Sequence, residues 1–273
     1  MNQSQKAEQL EALHRGDELF VIPNPWDAGS AKLLDGMGFK ALTTTSAGLA
    51  WVIGKPDGGV TREESLANAK MIVEAVDLPV AADLENGFGD RPEDAALTIR
   101  RAAEVGLVGG SIEDHSGDAA KPIYDFSLSV ERVAAAAEAA HSLGFPFQFV
   151  ARAENHVHGI DDLDDTIKRL VAFEAAGADV LFAPWLKSMD AIRAVCQAVS
   201  KPVNVVMGPS ALTHSLADLA EAGVKRVSVG GNFARAAYTA AQKAAEELLG
   251  PGTFNWAKGI ITHADLNGVM TGR

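Results

Sequence analysis

The chain carries one cysteine, Cys196, in 273 residues. A single thiol excludes an intrachain disulfide and a cysteine-based zinc site. Its context, DAIRAVCQAV, reads as a helix interior, so a plain buried thiol is expected there. Long apolar runs are missing as well, and none approaches the roughly 20 residues of a membrane span. The opening stretch MNQSQKAEQLEALHRGDELF reads as a polar helix start. It has no apolar core or small-residue cleavage site of a secretory leader, and a cytoplasmic location is expected. Basic residues are in deficit: 24 Lys and Arg stand against 36 Asp and Glu, a formal charge of −12. That balance disfavours nucleic acid and anionic membranes as partners. It does not argue against a small anionic ligand, because a local cation can dominate the field in a pocket. A G-x-G-x-x-G turn is also lacking, since VSVGGNFARA has the wrong spacing. A doubly wound dinucleotide-binding sheet is therefore the lesser architecture.

What is present is alternation. Strand-like runs fall at 20–24, 40–46, 79–83, 109–114, 147–153, 179–184, 202–207 and 226–231. Alanine-rich helical stretches lie between them, among them 63–76, 93–106, 130–144 and 164–177. Eight repeats of strand and helix in a chain of this length predict a single (β/α)₈ barrel, α/β in class, over 1–273. Gly38, Gly106, Gly144, Gly177 and Gly223 fit left-handed caps at helix ends. After the eighth strand a helix runs to Gly250, where Pro251 and Gly252 break it, and a second amphipathic piece follows. Residues 251–273 read as a tail with an oligomer contact.

In such a barrel, chemistry sits at the C-terminal strand ends and the loops after them. Asp83 and Glu85 stand two apart at the end of the third strand, which reads as one face. Glu113 precedes Asp114 at the end of the fourth, and Glu113 is taken as the inward one. Carboxylates gathered on one rim repel each other unless a cation joins them. A hard, oxygen-seeking ion, Mg²⁺ with Mn²⁺ as the alternative, suits that donor set. Asp57, between Pro56 and two glycines, fits a turn aspartate or a ligand. Ser46, Ala47 and Gly48 follow the second strand, where small residues let backbone N–H groups approach a carboxylate. Arg152 ends the fifth strand and must pair with an acid or an anionic substrate. His156 and His158 follow in its loop, as solvated histidines or metal ligands. The loop 115–124 is rich in Gly, Asp, Ser and Pro, and is expected to close over the site with His115 and Lys121 as its bases. VMGPS (206–210) and VSVGGN (227–232) fall where barrels often hold phosphate.

Taken together, PNPWDAGSAKLLDGMGFKAL (23–42), TTTSAGLA (43–50), GKPDGG (54–59), LPVAADLENGFGD (78–90), SIEDHSG (111–117) and VARAEN (150–155) resemble the isocitrate lyase/phosphoenolpyruvate mutase superfamily through nearly the whole chain. The resemblance implies a (β/α)₈ barrel, a homodimer or homotetramer with the last helix exchanged between subunits, Mg²⁺, and a small 2-oxo or dicarboxylic acid handled through an enolate. It implies a metal shell of Asp83, Glu85, Asp57 and Glu113. Ser46, Ala47 and Gly48 would hold the substrate carboxylate, Trp26 and Asp27 would line the floor, and Arg152 would contact substrate. Two departures bear on activity. Glu85 stands where many members have a second aspartate. The loop HSGDAAKPIYD (115–125) has no cysteine where the isocitrate and methylisocitrate lyases carry their proton donor. The expectation is a Mg²⁺-dependent carbon–carbon lyase or decarboxylase without a catalytic cysteine. A phosphonomutase or phosphonopyruvate hydrolase is the alternative, and a keto-acid-binding barrel with little turnover is the non-enzymatic one.

Overall fold

The computed structural model describes residues 1–209 and 214–272. Helix α1 (Gln3–Arg15) precedes the first strand and is opened by Asn2, whose side chain accepts from the Gln5 N–H in a capping box. Its Ala7 and Leu10 pack with Ile22, Ala41, Ala81 and Val108. Ala41 and Val108 lie just before strands, so α1 plugs the N-terminal end of the barrel.

Eight parallel strands follow: β1 (Phe20–Val21), β2 (Leu42–Thr43), β3 (Val80–Asp83), β4 (Gly109–Glu113), β5 (Gln148–Arg152), β6 (Val180–Phe182), β7 (Val203–Val206) and β8 (Arg226–Ser228). From β2 to β8 each strand pairs with its sequence neighbours, and β8 pairs with β1. The remaining seam is bridged by the Thr43 N–H, which donates to the Pro23 carbonyl at 3.0 Å. The sheet thus closes into a (β/α)₈ barrel.

Helices α2 (Ala28–Gly36), α3 (Ser46–Val52), α4 (Arg62–Ala75), α5 (Pro92–Glu104), α6 (Phe126–His141), α7 (Leu163–Ala175), α8 (Met189–Ala198) and α9 (Leu216–Glu221) connect the strands. Their apolar faces and the outer faces of the strands form the main core, around Ile72, Ile99, Phe147, Phe149 and Phe173. Gly38, Gly106, Gly177 and Gly223 take φ of 91°, 93°, 105° and 95°, the left-handed region that only glycine enters freely. Gly144 does not share this conformation: α6 ends three residues earlier, at His141, and Ser142 caps it in the right-handed region.

After β8 comes α10 (Asn232–Leu249), then a 3₁₀ turn (Asn255–Ala257) and α11 (His263–Thr271). Ala234 is the one buried residue of α10. Helix α11 returns to α2, where the Lys32 ammonium donates to the Met270 carbonyl at 2.7 Å. Among the described residues no helix is long and apolar enough to cross a membrane.

Candidate active site

The C-terminal mouth of the barrel gathers acids around one arginine. Asp83 closes β3. Its Oδ2 accepts from the Ser46 N–H at 3.2 Å and from the Ser46 hydroxyl at 2.8 Å, which ties β3 to the first turn of α3. Its own N–H donates to Thr44 Oγ1 at 3.1 Å. Glu85 lies beyond the strand, with φ of 47°. The strand period therefore does not govern it, and the reading of Asp83 and Glu85 as one pleated face is corrected. A left-handed turn aims Glu85 instead. Its carbonyl accepts from the Glu113 N–H at 2.9 Å, so β4 extends the same framework. Phe88 and Trp185 also have positive φ, 58° and 62°. Non-glycine residues in that region cost on the order of 1–3 kcal/mol each, and all three stand at the mouth.

The loop that carries Glu85 is braced from behind. Arg132 of α6, 1 % exposed, donates to the Gly89 carbonyl at 2.6 Å and also to the Asn86 carbonyl. Its guanidinium lies 4.4 Å from the Tyr124 ring centroid, and the Tyr124 hydroxyl donates to Asp90 at 2.6 Å.

Arg152 ends β5 and reaches three acids. Its Nη1 lies 3.2 Å from Glu113 and 3.7 Å from Asp83, and its Nε donates to Glu154. Burial alone would lower its pKa, but the carboxylates of Glu154, Glu113 and Asp83 raise it. Glu113 faces the mouth. Asp114 turns into the wall, where Arg169 binds it at 3.0 Å and the Glu154 N–H donates to it at 2.8 Å. Asp57 completes the ring from the loop after α3.

One arginine does not neutralise these acids. Burial and then the neighbouring Asp83 charge raise the Asp57 pKa. Burial, Asp83 and Asp57 push Glu85 up to about 8. Glu113 is raised well above the usual carboxylate range, by burial first, with Arg152 opposing. Glu85 Oε1 is buried and has no hydrogen-bond partner among the described residues. That orphaned oxygen, in an all-oxygen donor set, fits a hard cation. Among the described residues no three His, Cys, Asp or Glu side chains converge as a ready coordination cluster. Mg²⁺ does not need one, because it usually keeps several waters and binds through one or two carboxylates.

Two cavities meet here and share Ser46, Asp57, Val157 and Arg152. The shallower, of about 700 Å³, is walled by Glu85, Glu113, Glu154, His115 and His158. The deeper, of about 390 Å³, runs from Asp83 and Ala47 down to Arg226 of β8. His115 stacks on His158, ring centroids 4.1 Å apart.

Several sequence expectations are corrected. Trp26 and Asp27 do not line either cavity: Asp27 caps α2 by accepting from the Ser30 N–H at 2.7 Å. Gly48 does not line them either, and its N–H donates to Thr45 Oγ1 at 3.2 Å. A Cβ there would meet the Thr45 methyl at 2.6 Å and Trp26 Cβ at 2.9 Å, so this glycine serves close packing. Lys121 is turned away from both cavities and pairs with Asp125 at 2.6 Å on the surface. The reason is the fold of its loop, in which Ser116 N–H donates to the Pro122 carbonyl at 2.8 Å and points the tip outward. His156 is buried against Thr166 at 3.3 Å. Cys196 lies on α8 outside both cavities, its thiol pushed up to about 11 by burial. The VMGPS stretch runs into Ser210, which lies outside the described residues.

Sequence reading missed Arg226 and the cavity role of Glu154. A charged residue opening the apolar run RVSV was the available signal for Arg226.

A parallel barrel whose strand ends gather carboxylates around an arginine at the C-terminal face has the layout of a (β/α)₈-barrel enzyme. The chain belongs to the phosphoenolpyruvate phosphomutase family, whose sequence profile matches residues 10–249, and so to the isocitrate lyase/phosphoenolpyruvate mutase superfamily. A crystal structure of a Burkholderia cenocepacia J2315 protein described only as a lyase/mutase superposes with a TM-score of 0.95 at 54 % identity, covering 97 % of this chain and 95 % of that one. The structure of a 2,3-dimethylmalate lyase superposes with a TM-score of 0.86 at 29 % identity, over 97 % and 94 % of the two chains. The oxaloacetate decarboxylase of Rhodopseudomonas palustris (strain BisB5) is 28 % identical over 254 residues, 89 % of this chain and 84 % of that protein.

Proposed function

We propose that this protein is a Mg²⁺-dependent lyase that breaks a carbon–carbon bond, or decarboxylates, in a small 2-oxo or 2-hydroxy carboxylic acid. The observation that carries the reading is the uncompensated acidic ring with the partnerless Glu85 oxygen, set where the two cavities meet. Relatives that act on dimethylmalate and on oxaloacetate support the reaction type. Asp83, Glu85, Asp57 and Glu113 would hold the ion, in part through water. When bound, it supplies stabilisation of negative charge at the substrate C2 oxygen.

The chain's own residues do the rest. Ser46 fixes the Asp83 carboxylate by two hydrogen bonds, so the donor is oriented before substrate arrives. Arg152, already held by Glu113 and Glu154, presents its guanidinium to both cavities and would orient the substrate anion. Ala47 brings backbone into the deep cavity beside Ser46. His115 lies within the shallow cavity and is the base placed to move a proton there. Cys196 has no place in this scheme, because it lines neither cavity. Phosphorus–carbon chemistry is the weaker reading, since the loop lysine that would assist it lies outside the site. A keto-acid-binding barrel without turnover would show the same affinities and no product.

The exposed α10 and the tail after it read as an arm that a second copy covers, in a homodimer or homotetramer. One screen tests the activity: oxaloacetate, substituted malates, phosphonopyruvate and phosphoenolpyruvate, each with Mg²⁺ and with EDTA. Cleavage or decarboxylation that EDTA abolishes is expected. Equal rates in EDTA would remove the metal, and turnover of phosphonopyruvate alone would replace the lyase.

A further inference from the structure

Arg226 is 4 % exposed, at the start of β8 in the barrel interior. It lines the foot of the deep cavity, whose head is formed by Asp83 and Arg152. Its Nε and Nη1 are buried with no hydrogen-bond partner among the described residues. Arg152 is surrounded by carboxylates, whereas burial is the whole cause of the Arg226 shift, down to about 10, and no acid offsets it. At neutral pH the guanidinium remains charged. Its neighbours are neutral. His14 of α1 lies beneath, with a pKa lowered to about 3, and Asn204 is its register partner on β7. Asn204 donates to the Ser228 hydroxyl at 3.2 Å, and its own Oδ1 also lacks a partner. A buried charge without a counterion is unfavourable unless something pairs with it.

We propose that Arg226 anchors a second anion subsite, deep in the barrel, that takes the distal carboxylate of a dicarboxylic substrate. This rests on the lyase reading for the head of the same cavity. The 2-oxo or 2-hydroxy acid head is held at the mouth by the acidic ring and Arg152. Ser228 also lines this cavity, two residues after Arg226 on β8. A monoacid fills the head alone, and a diacid reaches both.

Malate and lactate differ only in the distal carboxylate, so they isolate the subsite. Calorimetric titration of both, and of phosphonopyruvate, into wild type, Arg226→Met and Arg226→Lys in Mg²⁺ makes the test. Wild type should prefer malate. Arg226→Met should lose about 10- to 100-fold in malate affinity, the scale of a charged hydrogen bond, and leave lactate unchanged. Arg226→Lys should recover part of the malate affinity. The ligand-free Arg226→Met protein should melt no lower than wild type, because it loses an unpaired buried charge. A lower melting temperature or a failure to fold would make Arg226 structural and overturn the proposal. So would equal losses for malate and lactate, or no preference for malate in wild type. Selective loss of phosphonopyruvate instead would assign the subsite to a phosphonate and overturn the carboxylate. Intact selectivity without turnover of any acid would sink the lyase reading and leave the subsite. Turnover with malate selectivity unchanged in Arg226→Met would do the reverse.

Discussion

Asp83 bears the heaviest demand of any single residue in the site. Its carboxylate faces Arg152 on one side and receives both Ser46 donors on the other. Replacing it with alanine removes a metal donor and frees Ser46, while β3 keeps its backbone pairing to β2 and β4. Asp83→Ala should lower Mg²⁺-dependent kcat/KM by about 100-fold or more, the scale for losing one preorganised electrostatic group. Its circular dichroism spectrum should stay as in wild type. Retained activity in a folded variant would take Asp83 out of the mechanism. At this scale the sequence was partly readable. Charged residues at apolar strand ends stand out, so the gathering of Asp83, Glu113 and Arg152 at one rim was legible. Asp27 and Gly48 could not be told from ligands, because an N-cap and a packing glycine use the same residue types as a binding loop.

Among the elements, the loop 115–124 and helix α1 make separate tests. The loop is a small hairpin with a bridge between His115 and Ile123. Its tip points Lys121 into solvent, where the pair with Asp125 is 60 % and 68 % exposed. An exposed pair of this kind contributes about 0–1 kcal/mol. Lys121→Ala should therefore leave kcat, KM and the melting temperature close to wild type. A large fall in kcat would show that the loop closes and carries Lys121 into the site, as the sequence suggested.

Helix α1 carries a pH liability. His14 is 4 % exposed, and burial, then Arg226, depress its pKa from 6.5 to about 3. A depressed folded pKa gives stability that is present above the unfolded value and lost as pH falls. The window runs from 6.5 down toward about 3. Within it the loss is about 1.4 kcal/mol per pH unit for one proton. Urea midpoints at about pH 7.5 and about pH 5 should diverge less in His14→Leu than in wild type. Equal divergence would clear His14. Helix ends with glycine caps were legible because the left-handed conformation selects glycine. The start of α6 at Phe126, four residues before the expected one, was not, because Asp125 caps it without a side-chain hydrogen bond.

For the molecule as a whole, the barrel closes on itself, while α10 touches it through Ala234 and Tyr238 and leaves most of its length exposed. Leu249 is 90 % exposed and Phe254 70 %, far more than a finished surface usually leaves. A protein lacking residues 251–273 should contain fewer copies per particle by light scattering than the full chain, with the barrel still folded. An unchanged number of copies would separate the tail from assembly.

The sequence by itself determined the eight-fold alternation, and with it the barrel, because hydrophobic periodicity and helix-ending glycines are local signals. It also determined the chemical character of the rim, since acids that end apolar strands have little other use. The tertiary structure alone decided which of those acids share a space. Glu85 is aimed by a left-handed turn, Glu154 is drawn in by Arg152, and Arg226 is left without an acid. The physical reason is closure. Strands remote in sequence, such as β1 and β8, become neighbours only when the sheet curls, and a charge's partners are set by that curvature and not by spacing along the chain.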